Sequence, residues 1–323
     1  MTHRVGFDVG GTNARIHIFD GDWTTISERR ERIRDSSAPE EIVTVLLKLL
    51  RETCKESNVD LSDVKATGIG LAGQLSTDGR TVLNAPNLGW RDVDFVDVFA
   101  TQWRTEMGNE PPAAIRLCND LNAQLWGEYI KGAVRGIDDV LALFVGTGVG
   151  GAILSEGRLV TGADGNAGEI GHSKVVVGGR PCGCGESGCV EAYAGGIHLE
   201  RRLAAMLAQS EDSTLASLRT DEGINPGAAD ALADTHPAIA EIWEEATDYL
   251  AIVAANAITL LNPRALLIGG GILENCTTFR SLFLQKTIPL VLQVSRTNLQ
   301  VEQASLGDLA GVLGAAALAE LTA

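Results

Sequence analysis

Three cysteines within eight positions, Cys182, Cys184 and Cys189, stand on a loop punctuated by Gly183, Gly185 and Gly188, and His172 lies ten residues before the first of them. Three thiolates and one imidazole fill a tetrahedral zinc shell with no open position, so a metal held there is structural and not catalytic. Zinc binding, worth about 10–16 kcal/mol in small zinc peptides, is ample to order a loop with so few side chains of its own to pack. The other cysteines, Cys54, Cys118 and Cys276, are scattered singly through apolar surroundings, the pattern of a reducing compartment and not of a disulfide framework. Glu169 and Glu191 flank the cluster. Each is either one of the chain's many solvated acids or, tethered to a rigid metal loop, an acceptor for the hydroxyls of a polyol.

Two glycine-rich turns suggest an anion. Asp8-Val9-Gly10-Gly11-Thr12 puts an acid at a strand end, followed by small residues whose backbone N–H groups are open to phosphate; a plain glycine-rich hairpin turn is the alternative. The second turn, Gly146-Thr147-Gly148-Val149-Gly150-Gly151, follows an apolar strand ending at Val145, and Thr147 adds a hydroxyl. This segment fits G-x-G-x-x-G, but the dinucleotide fingerprint should open a helix. Here Ala152 to Leu154, the turn Ser155 to Arg158, and then Leu159 and Val160 read as a second hairpin, so a dehydrogenase is not expected. A strand–glycine–strand loop in each half of the chain points instead to a pair of clamps on a nucleoside triphosphate. Asn119 and Asp120 fall where a strand gives way to a helix. The acid there is an N-cap or, at the C-terminal end of a buried strand, the carboxylate that takes the proton of an attacking hydroxyl. Asn87, in Ala85-Pro86-Asn87-Leu88-Gly89-Trp90, is a turn residue or a donor and acceptor for the same ligand, with Trp90 as an apolar wall.

The elements that must position these residues follow from periodicity. Val5 to Val9 and Ala14 to Phe19 read as strands joined by the first glycine turn, Glu40 to Cys54 as a helix, Val64 to Leu71 as a buried strand, Ala113 to Cys118 as a strand and Leu121 to Ile130 as a helix. The second half repeats that grammar: strands over Val140 to Val145 and Gly151 to Leu154, an apolar helix over Tyr249 to Leu261, a strand over Ala265 to Ile268 ending in Gly269-Gly270-Gly271, and an alanine-rich helix over Ala310 to Leu321. Without a low-complexity linker the halves should pack together with a cleft between them. The 323 residues leave room for two domains. The net charge of −16 repels polyanions, and the densest basic group, Arg29, Arg30, Arg32 and Arg34, is interleaved with Glu28 and Glu31, so nucleic acid is not an expected partner. No apolar run precedes Asp8, so no signal peptide is expected. The longest apolar stretches, about a dozen residues, are too short to cross a bilayer. The reading is of a cytoplasmic protein.

Taken together these segments resemble the ROK family, the bacterial sugar kinases and sugar-responsive repressors, and most closely its glucokinases. The resemblance spans nearly the whole chain. Asp8 to Thr12 matches the family's first phosphate motif, Asn119-Asp120 with Gly127-Glu128 its catalytic-base segment, and Gly146 to Gly151 its second phosphate loop. Gly168-Glu169-Ile170-Gly171-His172 with the three cysteines and Glu191 matches its zinc and sugar signature, and Asn262-Pro263 leading into Ile268-Gly269-Gly270-Gly271 its adenosine-side loop. The sequence departs from the family at Leu71-Ala72-Gly73, where a proline-containing turn is usual, and at Ser76, where Asp is frequent.

The resemblance implies an α/β, actin/hexokinase-like (ribonuclease H-like) two-domain fold. Residues 1–118 with a C-terminal helix over about 308–323 would form the smaller domain, and 119–307 the larger one with the zinc site. It implies ATP-dependent phosphorylation of a hexose 6-hydroxyl, most directly that of glucose; kinases for N-acetylmannosamine, N-acetylglucosamine or fructose are the near alternatives. Asp120 would be the base. Asp8 would hold Mg²⁺ through water, with Gly10, Gly11, Thr12, Gly146, Thr147 and Gly148 around the phosphates and Gly269 and Gly270 beside the adenosine. Gly73, Asn87, Asn119, Asp120, Glu169, His172 and Glu191 would bind the sugar, while His172, Cys182, Cys184 and Cys189 hold the structural zinc. A homodimer or homotetramer is implied as well. Regulators of the family carry a DNA-binding segment before the first phosphate motif, and with seven residues ahead of Asp8 and a charge of −16 that role is not expected.

Overall fold

The computed structural model of the chain describes residues 2–33, 38–210, 212, 215, 218–220 and 223–321. Arg34 of the basic group, and residues 322 and 323 of the expected C-terminal helix, lie outside these. The chain divides into two units, one of Met1–Gly136, Leu159–Ala167 and Ser305–Ala323, the other of Ile137–Arg158 and Gly168–Ala304.

In the first unit, strands β1 (His3–Val9), β2 (Asn13–Phe19) and β3 (Thr25–Arg32) are followed by helix α1 (Pro39–Ser57) and the buried strand β4 (Val64–Leu71). A three-stranded meander, β5 (Gln74–Leu75), β6 (Val82–Ala85) and β7 (Trp90–Val93), leads into α2 (Phe95–Met107), β8 (Ala114–Asn119) and α3 (Asp120–Lys131). The main sheet has the order β3-β2-β1-β4-β8, antiparallel through β1, β2 and β3 and parallel from β1 to β4 to β8. Helix α1 forms because Ile42, Val43, Leu46, Leu47, Leu49, Leu50 and Cys54 recur on one buried face; it stops where Asn58 turns left-handed at φ 54°. The C-terminal helix (Asp308–Glu320) packs backbone against backbone: a Cβ on Gly6, Gly68 or Gly127 would collide with the carbonyls of Val312, Ala315 and Ala310.

The second unit contains β9 (Val140–Val145), β10 (Val149–Ser155), the start of β11 (Arg158–Leu159), α4 (Glu191–Ala194), α5 (Gly196–Gln209), the short antiparallel pair β12 (Arg219–Thr220) and β13 (Gly223–Ile224), and α6 (Pro226–Asp230). There follow α7 (Pro237–Leu261), β14 (Ala265–Gly269), α8 (Gly271–Asn275), α9 (Thr277–Leu290), α10 (Gln293–Arg296) and β15 (Gln300–Gln303). Its sheet order, β11-β10-β9-β14-β15, repeats that of the first unit strand for strand. The expected second hairpin is present: Glu156 and Gly157 both take positive φ, 51° and 70°, the turn that a right-twisted two-residue hairpin requires.

Several expectations shift. The apolar helix read over Tyr249 to Leu261 begins twelve residues earlier, at Pro237, where that proline fits the first turn. The division anticipated near residue 118 falls just before α3, whereas α3 packs with β8 and the C-terminal helix and the first unit runs on to Gly136. The arginine-rich stretch is an edge strand, β3. Arg29 pairs with Glu52 at 2.6 Å and with Glu56, and Lys48 reaches Glu31 at 2.7 Å, so the charges cross-link β3 to α1. Among the described residues no helix is long and apolar enough to cross a membrane.

Candidate functional site

Asn119, the last residue of β8, is the N-cap of α3: its Oδ1 accepts from the N–H groups of Leu121 and Asn122 at 3.0 and 3.1 Å. The N-cap role that the sequence offered to Asp120 therefore belongs to Asn119. Asp120 sits at the first helical position, partly exposed, with Oδ1 at 3.0 Å from the Leu121 N–H. The Asn119 Nδ2 also donates to the Gly73 carbonyl at 3.4 Å, tying the β4–β5 turn to the start of α3. Gly73 has no room for a side chain: a Cβ would lie 2.8 Å from the Asn84 carbonyl oxygen, and its φ is 156°. Asn87 is exposed on the β6–β7 turn, as read. Trp90 corrects the reading, because it is only 4% exposed and stacks on Phe95 at 5.3 Å; it belongs to the core and offers no wall to a ligand.

The first glycine turn closes the β1–β2 hairpin through Gly10 N–H to the Asn13 carbonyl, 3.0 Å. A Cβ on Gly11 would meet nothing within 4 Å, and on Gly10 only the Asn13 oxygen at 3.6 Å. Neither glycine is required by internal packing, so the turn leaves room for close approach from outside. Asp8, at the mouth of this turn, is partly sequestered. Burial pushes its carboxyl above the ordinary range and the Arg15 guanidinium pulls it back.

In the second unit the four ligand atoms of His172, Cys182, Cys184 and Cys189 all lie within 4.8 Å of one another. A tetrahedral zinc with ordinary bond lengths separates two sulfurs by about 3.8 Å and a sulfur from a nitrogen by about 3.6 Å. Cys184 and Cys189 Sγ are 3.8 Å apart, and Cys182 Sγ is 3.7 Å from His172 Nδ1. The cluster fits zinc, with Nδ1 facing the sulfurs. The other ring nitrogen, Nε2, lies 3.8 Å from a Glu169 carboxylate oxygen on the exposed side. The sequence reading missed Lys174, whose Nζ lies 3.0 Å from Cys189 Sγ. Three thiolates around a dication leave a net negative charge, and a lysine two residues after the His ligand is the signal that would have pointed to its compensation.

The second glycine turn, 146–148, is braced from the side of the cysteine cluster. Glu191, two residues after Cys189, accepts the Val149 N–H on Oε2 at 3.0 Å and occupies the space a Gly148 Cβ would need. Its other oxygen lies 3.5 Å from Cys182 Sγ. At the start of α5, Gly196 N–H donates to the Gly146 carbonyl at 2.9 Å and Ile197 N–H to that of Thr147 at 3.0 Å. A Cβ on Gly146 would meet nothing nearer than Gly271 N at 3.9 Å, so on that side it is as uncrowded as Gly10 and Gly11, and it stands beside the turn of Gly269 and Gly270. Gly270, at φ 88°, is demanded by the fold, since a Cβ would sit 2.6 Å from the Val145 carbonyl oxygen; Gly269 is closed in by Phe144 at 2.8 Å.

Two units with the same strand order, each opening its first hairpin with a glycine turn, form the actin-like sugar-kinase fold. The chain belongs to the ROK family, whose model matches residues 4–321. It is similar to a glucokinase of Halalkalibacterium halodurans, 30% identical over 96% of this chain and 92% of that one. An N-acetyl-D-glucosamine kinase of Yersinia pseudotuberculosis is 29% identical over 97% of each. Among solved structures, a ROK glucokinase from Streptomyces griseus in complex with glucose and AMPPNP superposes with a TM-score of 0.79 at 31% identity, covering 99% of both chains.

Proposed function

We propose that the chain transfers the γ-phosphoryl group of ATP to the 6-hydroxyl of a hexose, glucose first, with N-acetylglucosamine, N-acetylmannosamine and fructose as the alternative acceptors. The observation that carries this reading is the division of labour at the start of α3, where Asn119 does the capping and Asp120 stands beside it, partly exposed, as a candidate base. The Asp120 carboxylate takes the hydroxyl proton while the sugar oxygen bonds to the γ-phosphorus; the bond from that phosphorus to the bridging oxygen breaks, and ADP leaves. Relatives named for glucose and for N-acetylglucosamine both support a hexose acceptor.

The uncrowded turns at Gly10, Gly11 and Gly146, whose Gly10 and Gly146 N–H groups are bonded within their own hairpins to Asn13 and Gly148, would hold the phosphates together with the hydroxyls of Thr12 and Thr147 and the turn at Gly148, and Gly269 and Gly270 would line the adenosine side. Mg²⁺ takes one or two carboxylates together with phosphate oxygens and water, and the Asp8 carboxylate beside an uncrowded glycine turn fits that donor set; when bound, the ion neutralises charge on the transferred group. Zinc on His172, Cys182, Cys184 and Cys189 supplies rigidity. Gly73, Asn87, Asn119, Asp120, Glu169, the His172 Nε2 and Glu191 would contact the sugar. With zinc bound Cys182 carries no proton, so Glu191 Oε1 is available to a sugar hydroxyl. ATP as donor assigns the enzyme to the cytoplasm, and the family resemblance assigns it a homodimer or homotetramer, which sedimentation measures.

ADP release followed across a panel of hexoses and N-acetylhexosamines, with ATP and polyphosphate as donors, tests the assignment; turnover of none of them would end it. Asp120→Asn should leave sugar affinity within a few-fold and lower turnover by roughly 10²–10⁴. Undiminished turnover rules out this base.

A further inference from the structure

The sheet register sets Asp8 of β1 opposite Arg15 of β2, and Arg15 opposite Arg30 of β3. Arg15 therefore faces the carboxylate expected to serve a divalent cation, yet it is not closed upon it. Its Nη1 lies 3.6 Å from Asp8 Oδ2 and 2.6 Å from Asp308 Oδ1. Asp308 is the first residue of the C-terminal helix, three positions before Gly311, whose missing side chain leaves a Cβ position 3.8 Å from Asp8 Cγ. One turn of helix thus offers an open site to Asp8 and a competing anion to its neighbour. The Arg15–Asp308 pair contributes little to stability, because the Asp308 side chain is 72% exposed and exposed pairs are worth about 0–1 kcal/mol. Its effect on where the guanidinium rests is local and direct.

We propose that Asp308 is a positioning residue: by drawing Arg15 toward itself it keeps the Asp8 carboxylate open to the Mg²⁺ that accompanies the nucleotide. This rests on the kinase reading above. Without the Asp308 charge, Asp8 becomes the nearer partner of Arg15, and the guanidinium competes with the cation for the same oxygen. Arg15 alone would favour a bare polyphosphate; Asp308 shifts the site toward the metal-bound form.

Calorimetry of AMPPNP binding, with excess Mg²⁺ and again with EDTA, reads this as the ratio of the two affinities. In Asp308→Asn that ratio should fall about two- to fivefold, with metal-free affinity unchanged or tighter and zinc content and glucose affinity unaltered; Asp308→Glu should retain the wild-type ratio. In an Arg15→Gln background the Asp308→Asn effect should vanish. An unchanged ratio in Asp308→Asn overturns the inference. So does an equal loss in both backgrounds, since Asp308 would then act on the metal and not through Arg15. If Asp308→Asn fails to fold, Arg15→Gln alone must raise the ratio, and no rise is equally fatal. If the wild-type protein binds no AMPPNP under either condition, the kinase reading itself fails, a result distinct from a changed or unchanged ratio.

Discussion

Alanine at position 196 would place a Cβ well inside van der Waals contact distance of the Gly146 carbonyl oxygen, 3.3 Å from its carbonyl carbon and 3.5 Å from Ile272 Cγ1. Gly196 has no positive φ to defend, so the contact is the whole objection to the substitution. To relieve it, the second glycine turn must move off α5, stretching the bonds from Gly196 N–H to Gly146 at 2.9 Å and from Ile197 N–H to Thr147 at 3.0 Å. Two backbone hydrogen bonds at about 1 kcal/mol each give a loss of up to about 2 kcal/mol, and at the first position of α5 alanine recovers little of it. Global stability should therefore fall by about 1–2 kcal/mol. Nucleotide binding, which depends on the turn's shape, should weaken by about tenfold, corresponding to about 1.4 kcal/mol. Calorimetry with AMPPNP and separately with glucose measures both, alongside zinc content. Wild-type nucleotide affinity in a folded Gly196→Ala protein would refute the bracing argument, as would a parallel loss of sugar affinity.

Cys184→Ser should release zinc and lower the melting temperature by more than about 5 °C, measured by metal analysis and scanning calorimetry on one sample; metal retained at wild-type stability removes the scaffold role. Asp8 gives a pH signature. Burial raises its carboxyl above the ordinary 3.8, so the folded chain holds that proton more tightly and stability falls as pH rises from 3.8 through the raised value. Asp8→Asn should thus melt roughly a degree or two higher at pH 7 while losing metal-dependent nucleotide binding, and the gain should disappear below pH 3.8; a gain that persists there contradicts the desolvation argument. Glu128, fully buried, accepts from the N–H groups of Ala133, Ser305 and Leu306. Glu128→Ala strands all three and should cost at least about 3 kcal/mol, read as a lower denaturation midpoint.

The cluster of three cysteines and one histidine was legible because a tetrahedral donor set is written in residue type and short spacing alone, and the glycine hairpins because apolar strands bracket them. Position 119 against 120 was not, since Asn and Asp are equal as caps and only the side-chain geometry chooses. β3 escaped detection because none of its residues from Thr25 to Arg32 is buried; it is held by pairing with β2 and by ion pairs to α1, neither of which leaves an apolar period. Trp90 misled because its local turn resembles a binding loop, while its burial depends on Phe95, across the start of α2. The brace from Glu191 to Val149 joins residues 42 positions apart, and local patterning holds no record of such a contact. The same is true of Arg15 and Asp308.

The contacts of Gly6 and Gly68 with Val312 and Ala315 also bear on how the molecule is made. Residues 308–320 leave the ribosome only after the entire second unit has been synthesised, so the sheet begun by the first strand waits through most of translation with its glycine-lined face uncovered. A nascent chain stalled at residue 304 should show that face as protease-sensitive and sticky toward a holdase chaperone, and adding the missing helix in trans as a peptide should protect it.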